Sequence, residues 1–466
     1  MSDNANAFPG SKKGLMIFAT LFLMVGMMTA SYSSNVLLPQ QLGKMDQMGL
    51  YAFMAAIAST GMMIALPISG SLSALFGAKV VILVGIAAQF VTKLLLPMLG
   101  SPVIFGIDYF LMGFFGGLYM AAPYTVIAEI VTPQERPKYF GFLAAMSALG
   151  ALVGPLVTGI VADKAGLNLA WPFYAVFLII PFVLFLLFYP NVKRPGVKFD
   201  ILGLLLLAAF VIPLIFWLSL GGSYFPRFSV IGILLLVIAI AALVLMIRRE
   251  TRVDNPAVPV KMFAKPRFRV TFIVAALIVA YATTAGAYGI RYAQQVMQVS
   301  TTVSSTVTMP QTIVQFIVGL FIGAIIGKQF KKKFRTVGLI SVLAYILALL
   351  IMWRLTPTSS IVMLLCATAI GGIGQGISQS QYAAFFQTEL KMEEIRPAQG
   401  MYQFAQTGFS SIITAIYGLA QGMGASINDL FLLGAIICLL GFVVAFFGFK
   451  FPKEEIEAEA QAIAGK

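Results

Sequence analysis

The sequence predicts an all-α polytopic membrane protein of fourteen transmembrane helices, arranged as two six-helix bundles with two further helices inserted between them. Hydrophobic residues make up 60% of the 466 and charged residues only 10%, against about a quarter charged in ordinary soluble domains. A soluble fold has no means of hiding that much apolar surface. The apolar residues fall in blocks of 18 or more, with almost no charge inside the blocks and clusters of charge between them, as the thickness of a bilayer demands of spanning helices. The basic residues are also strongly biased toward alternate loops, which is the positive-inside pattern. Nothing resembles the short alternating segments of a β-barrel.

Spans are expected over residues 14–38, 50–74, 79–99, 102–126, 139–162 and 171–189, which make an N-terminal six-helix bundle over residues 1–190. Residues 191–267 hold a basic linker, NVKRPGVK, two spans at 201–220 and 228–247, and a longer basic stretch, RRETRVDNPAVPVKMFAKPRFR. The C-terminal bundle, residues 268–450, has spans at 268–291, 308–327, 336–354, 360–385, 399–422 and 429–449, and a charged tail fills 451–466. An even number of spans puts both termini on one side. With that side taken as cytoplasmic, 25 of the 31 basic residues face it, five face the other side, and Lys93 lies within a span. One misplaced helix would scramble this asymmetry, so the charge supports the whole assignment at once.

The net charge of +14 therefore reflects topology, and no nucleic-acid partner is expected. The chain has no histidine, and its acidic residues show no metal-ligand spacing. It has no nucleophile elbow and no phosphate-binding Gly-rich loop with a lysine. Neither an enzyme nor a metal site is expected, and bound ATP is not the expected energy source. The polar start, MSDNANAFPGSKKG, runs straight into an apolar block with no small-residue cleavage pattern, so a removable signal peptide is not expected.

A charge at mid-bilayer costs at least ~2.5 to 3.5 kcal/mol, so each ionisable group inside a span is a functional candidate. Lys93 lies six residues before the end of the third span and Asp108 six residues after the start of the fourth. At the helical rise both sit roughly 9 Å below the outer ends, level with each other in an antiparallel hairpin. The pair is expected to serve as a proton-coupling or substrate site, or as a structural salt bridge. Glu129, near the cytoplasmic end of the fourth span, is the third charge candidate, more in keeping with a loop anchor than a proton carrier. Arg291 and Tyr292 at the outer end of the ninth span could attract an anion, or reach lipid headgroups. Gln375, Gln379 and Tyr382 share one helix face, and Gln399, Gln403 and Gln406 repeat the spacing in the thirteenth span. Two facing amide stripes could line a path, or the amides could join helices by hydrogen bonds. Tyr32 and Asn35 in the first span, and Tyr109 and Met112 in the fourth, complete the cavity candidates.

Several segments occur in a telling order: NVLLP (Asn35 to Pro39), PISGSLSALFGAK (Pro67 to Lys79), TPQERPKYFG (Thr132 to Gly141), GALVGPLVTG in the fifth span, and KFDILGLLLL (Lys198 to Leu207). Through them the chain, from about residue 30 to 450, resembles the major facilitator superfamily, and within it the fourteen-helix drug:proton antiporter branch. The resemblance makes Gly70, Gly77 and Lys79 part of the loop motif between the second and third spans. It also makes Gly150, Gly154, Pro155 and Gly159 the antiporter motif of the fifth. Independently, Gly150 and Gly154 clear one helix face for close packing, and Pro155 frees a backbone carbonyl. The chain departs from the family pattern at Ala74 and Leu75, where an Asp-Arg pair is usual. It also departs at Ala30, where a membrane-embedded Asp is usual, and at Tyr109 and Met112, where Arg and Gln are usual.

The resemblance implies a secondary transporter that moves an amphipathic organic solute by alternating access, with the proton gradient and no bound cofactor as its energy source. It implies a monomer in a prokaryotic cytoplasmic membrane, with both termini inside. Proton-coupled efflux is the expected direction. Proton-coupled uptake of an amphipathic organic anion, such as a bile acid or other carboxylate, is the second reading, and a non-transporting membrane sensor the third.

Overall fold

A computed structural model describes residues 10–193, 200–222, 224–253, 256–300, 303–304 and 306–464. Arg194 and Lys198 of the first basic linker, Phe199, and Gly465 and Lys466 at the end of the tail lie outside the described residues. Among the described residues the named elements are all helical, and the chain forms thirteen helices long and apolar enough to cross a membrane.

The first six expected spans correspond to α1 (Gly10–Lys44), α2 (Tyr51–Phe76), α3 (Ala78–Leu95), α4 (Pro102–Met120) continued by α5 (Ala122–Ile130), α6 (Arg136–Ala165), and a short α7 (Leu167–Ala170) leading into α8 (Val176–Phe188). Helix α1 is longer than expected and runs through Pro39, as α6 runs through Pro155. Pro102 opens α4 at a position where its missing N–H costs no hydrogen bond. The central pair is α9 (Ile201–Leu220) and α10 (Val230–Glu250), started by Asp200 and Ser229, whose side chains accept from Gly203 N and Gly232 N. Most of the apolar side chains of α10 are exposed, as on a helix that faces lipid.

The ninth span is α11 (Pro266–Thr283), a π-helical turn over Thr284–Gly289, and α12 (Ile290–Gln295). Then follow α13 (Met309–Ile326), α14 (Phe330–Trp353), α15 (Ile361–Gln387), α16 (Met392–Gly422), α17 (Ile427–Gly448) and the tail helix α18 (Lys453–Ala464). Helix α16 is the thirteenth expected span and the one missing from that set. Its amide side chains keep it out of the thirteen most apolar helices, although its 31 residues are ample to cross a bilayer.

Two compact units are present. The first comprises Met1–Ile130, Gly150–Phe263 and Met392–Thr407. Within it α2 packs on α4 so closely that a Cβ on Gly113 would lie 2.1 Å from the Ala58 carbonyl oxygen. The start of α16 approaches α2 in the same way, a Cβ on Gly70 falling 2.8 Å from Pro397 Cα. The second unit comprises Val131–Leu149, Ala264–Lys391 and Gly408–Lys466. There the start of α6 meets α13 through Gly141 and Gly319, and α15 packs against α13 and α14. Helices α6 and α16 thus contribute residues to both units. The tail α18 docks on the second unit through Glu455, which pairs with Arg267 and, at 3.0 Å, with Lys331.

Candidate functional site

Lys93 on α3 is almost completely buried, at 1% exposure. Its ammonium donates to the backbone carbonyl of Ala30 and, at 3.0 Å, to Ser34 Oγ, both on α1. It also lies 4.5 Å from the centre of the Tyr174 ring and 6.0 Å from that of Trp171. Among the described residues it makes no ion pair. This corrects the expected charge pair: Asp108 on α4 is also buried, and its Oδ2 has no hydrogen-bond partner. The polar contacts that cross the α3–α4 hairpin are instead Tyr119 Oη donating to Gln89 Oε1 at 2.6 Å and Gln89 Nε2 donating to the Met112 carbonyl oxygen at 3.4 Å. Rise per residue fixes depth in the membrane but leaves the azimuth open, and Lys93 turns toward α1 and the segment before α8 rather than toward Asp108. The ammonium is held by dipoles and two aromatic faces.

Ala30, which stands where the resemblance expects an Asp, supplies the carbonyl that holds Lys93. Tyr109 and Met112 are packed rather than open. Both belong to an apolar cluster with Leu37, Leu42, Phe105 and Trp171, where Tyr109 stacks on Phe105 and meets Trp171 edge-on. Tyr32 and Asn35 on α1 are exposed.

Glu129 at the end of α5 pairs with Arg396 of α16 at 3.0 Å. Tyr189, just after α8, donates to the same carboxylate and accepts from Arg396 at 3.1 Å. The loop-anchor reading of Glu129 fits this arrangement. Arg396 and Tyr189 were not singled out from the sequence, where Arg396 counted only as a loop charge. Arg291 on α12 is exposed beside the Tyr288 ring, and Tyr292 is buried against Phe431.

The amides of α15 find partners on α13. Gln311 Nε2 donates to Gln375 Oε1 and Gln315 Nε2 to Gln379 Oε1, each at 3.2 Å, so two i, i+4 pairs match rung for rung. Tyr281 Oη extends the ladder by donating to Gln311 Oε1 at 3.0 Å. Tyr382 is bound to Ser341 at 2.7 Å. On α16, Gln399 and Gln403 are buried, and Gln406 Nε2 donates to Tyr402 Oη at 3.2 Å. The α15 amides therefore join helices. The π turn beside them, with Thr284 bound to Tyr417 Oη at 2.6 Å and Tyr288 edge-on to Tyr417, is a second feature that went unread. Its TTAGAYG sequence of small residues was the available sign.

The motif glycines act as close contacts. A Cβ on Gly150 would lie 2.6 Å from the Val25 carbonyl oxygen and one on Gly154 3.0 Å from Thr29 Cα, so the neighbour that the antiporter motif admits is α1. Ser33 and Thr158 share a 2.6 Å hydrogen bond across that seam. Gly77 adopts a positive φ of 90° between α2 and α3, a conformation that favours glycine. Asn191 bridges there to the Phe76 carbonyl oxygen at 3.2 Å. Lys79 follows in the first turn of α3, while a Cβ on Gly159 would meet open space.

A sequence profile described as the Major Facilitator Superfamily matches residues 16–415. Multidrug resistance protein 3 of Bacillus subtilis (strain 168) is 24% identical over 420 residues, covering 88% of this chain and 80% of that protein. The multidrug transporter protein MdtP of the same organism is 25% identical over 270 residues, 55% of this chain and 49% of that protein. Among solved structures, the E. coli fucose:proton symporter superposes with a TM-score of 0.62 at 14% identity, covering 92% of this chain and 98% of the other. A human organic anion transporter gives 0.64 at 14% identity over 94% and 100%. At these identities the likeness to the solved structures is one of fold.

Proposed function

Because the chain belongs to the major facilitator superfamily, we propose that it exports amphipathic organic solutes from a prokaryotic cytoplasm in exchange for protons, with Asp108 as the proton-binding group. The observation that carries this reading is the buried Asp108 carboxyl with its unpartnered oxygen. A carboxylate at that depth is costly when charged and needs a proton or a cationic ligand, and the two can compete for one site. That competition is the basis of exchange. The two Bacillus relatives, one named for multidrug resistance and one for multidrug transport, support export of such solutes. Alternation of access then needs two helix bundles that rock about a central site, with closely packed glycine seams such as α1 on α6 as sliding surfaces. Both termini are taken to be cytoplasmic, in keeping with the positive-inside bias.

A second reading, proton-coupled uptake of an amphipathic organic anion, is favoured by one observation. Lys93 is a buried ammonium flanked by aromatic rings with no carboxylate partner among the described residues. Proteoliposomes with an imposed pH gradient separate the two. Export predicts that lipophilic cations move against the proton flow and that Asp108→Asn abolishes this while leaving solute exchange at equal pH. Accumulation of carboxylates with the proton flow, lost in Lys93→Met and retained in Asp108→Asn, would replace the first reading with the second. Transport insensitive to the gradient would remove both.

A further inference from the structure

Where α9 begins and α10 ends, the two helices leave a groove of about 560 Å³. Leu202, Leu206, Leu245 and Val253 are its apolar lining, and Arg248, Arg249 and Arg252 its basic lining. The three arginines are not equivalent. Arg249 is bound to Asp200 at 2.7 Å, the same carboxylate that caps α9. Arg248 and Arg252 are exposed and make no ion pair among the described residues. Leu202 and Leu245 are half exposed.

We propose that this groove holds one anionic glycerophospholipid, its phosphate between Arg248 and Arg252 and an acyl chain along Leu202, Leu206 and Leu245. Charge and depth carry the argument together. The positive-inside bias assigns the arginine end of α10 to the cytoplasmic leaflet, where anionic headgroups lie. Guanidinium groups bind phosphate oxygens in a two-pronged fashion, and Asp200 neutralises one arginine, which leaves two free positive charges for one phosphodiester. A soluble phosphate would satisfy the arginines but leave the leucine wall uncovered, whereas a lipid satisfies both. A zwitterionic lipid brings no net charge to match the free pair. The central helices thereby gain a role as a lipid-reading element, separate from the candidate transport residues on α3, α4 and α15.

The test uses the full-length protein in nanodiscs of phosphatidylcholine doped with phosphatidylglycerol, with co-isolated lipid counted by native mass spectrometry. The wild type should retain one phosphatidylglycerol in preference to phosphatidylcholine. Each of R248Q and R252Q should weaken retention roughly fivefold, and the pair about 25-fold, from the attraction of one basic side chain to an anionic lipid. L202N should also weaken retention, and inorganic phosphate should not displace the lipid. Full retention in the double variant, or an equal loss in a Lys332→Gln control at another loop, would overturn the site. Displacement by inorganic phosphate together with wild-type retention in L202N would overturn the lipid assignment, leaving a phosphate site only.

Discussion

Ser34→Ala is the sharpest probe of how the buried ammonium of Lys93 on α3 is held without an ion pair. Ser34 Oγ is one of two hydrogen-bond acceptors for Lys93, and the other, the Ala30 carbonyl, cannot be removed by substitution. A hydrogen bond to a charged group contributes about 1.5 to 3 kcal/mol, so Ser34→Ala should lower stability by that amount. Lys93→Met removes the charge together with its burial penalty, so its own effect should be small or even stabilising. In that background Ser34→Ala should cost no more than about 0.5 kcal/mol, giving a coupling of about 1 to 2.5 kcal/mol between the two positions. A parallel cycle of Lys93→Met with Asp108→Asn should show coupling below about 0.5 kcal/mol, because no hydrogen bond or ion pair joins the two side chains among the described residues. Unfolding in mixed micelles, followed by tryptophan fluorescence, measures all the variants needed. Coupling of Lys93 to Asp108 larger than its coupling to Ser34 would refute the argument and restore the ion pair that their matched depth suggests.

Gly113→Ala would press a methyl group to 2.1 Å from the Ala58 carbonyl oxygen and force α2 from α4, costing about 1 to 3 kcal/mol. Gly159→Ala, with open space around it, should be neutral or gain up to about 1 kcal/mol of helix propensity; thermal unfolding of the two variants in detergent compares them directly. The Glu129–Arg396 pair has its carboxylate about a third exposed, so Arg396→Gln should cost about 1 to 3 kcal/mol, between the surface and buried limits. Glu129→Gln added to it should recover part of that loss in the same assay, since no unpaired charge remains. At α18, burial pulls the Glu455 carboxyl upward, but hydrogen bonds and charge from Arg267 and Lys331 outweigh it and hold the group below its ordinary range. A depressed folded value means that its contribution is full above the ordinary glutamate value of about 4.3 and is lost as the pH falls through the lower folded value. Glu459, raised by burial, contributes with the opposite sign. Protease cleavage of the tail should therefore accelerate in the acid range for the wild type, and the step should vanish in Glu455→Gln.

The positions of the helices were legible in the sequence and the directions their side chains face were not. Block length and loop charge located the helices, because bilayer thickness and the positive-inside bias act on composition alone. The same reasoning put Lys93 and Asp108 at one level, yet a rise of fixed size carries no information about which neighbour each residue faces once helices pack. Gln375 and Gln379 show the same limit. Their i, i+4 spacing marked a polar face, while the facing pair proved to be Gln311 and Gln315 on α13. Small residues were better guides, because a glycine's meaning is that some backbone comes close, and at Gly150 and Gly154 one does. Arg396 was hidden by its setting among loop charges, since nothing local distinguishes a solvated arginine from one that reaches back to Glu129.

The π turn at Thr284–Gly289 has a consequence for how the ninth span can vary. A π turn accommodates an extra residue within an α-helix and sets the helix beyond it about 100° out of phase with the helix before it. Tyr281 bonds Gln311 on α13, while Tyr288 and Tyr292, past the start of that turn, lie against Tyr417 and Phe431. Chain length at this point, more than the identity of any side chain, decides which way the C-terminal end of the span looks. Loss of one residue between 284 and 289 would restore the α register and carry Arg291 through about a quarter of a turn, while every rung of the amide ladder beneath it stayed in place.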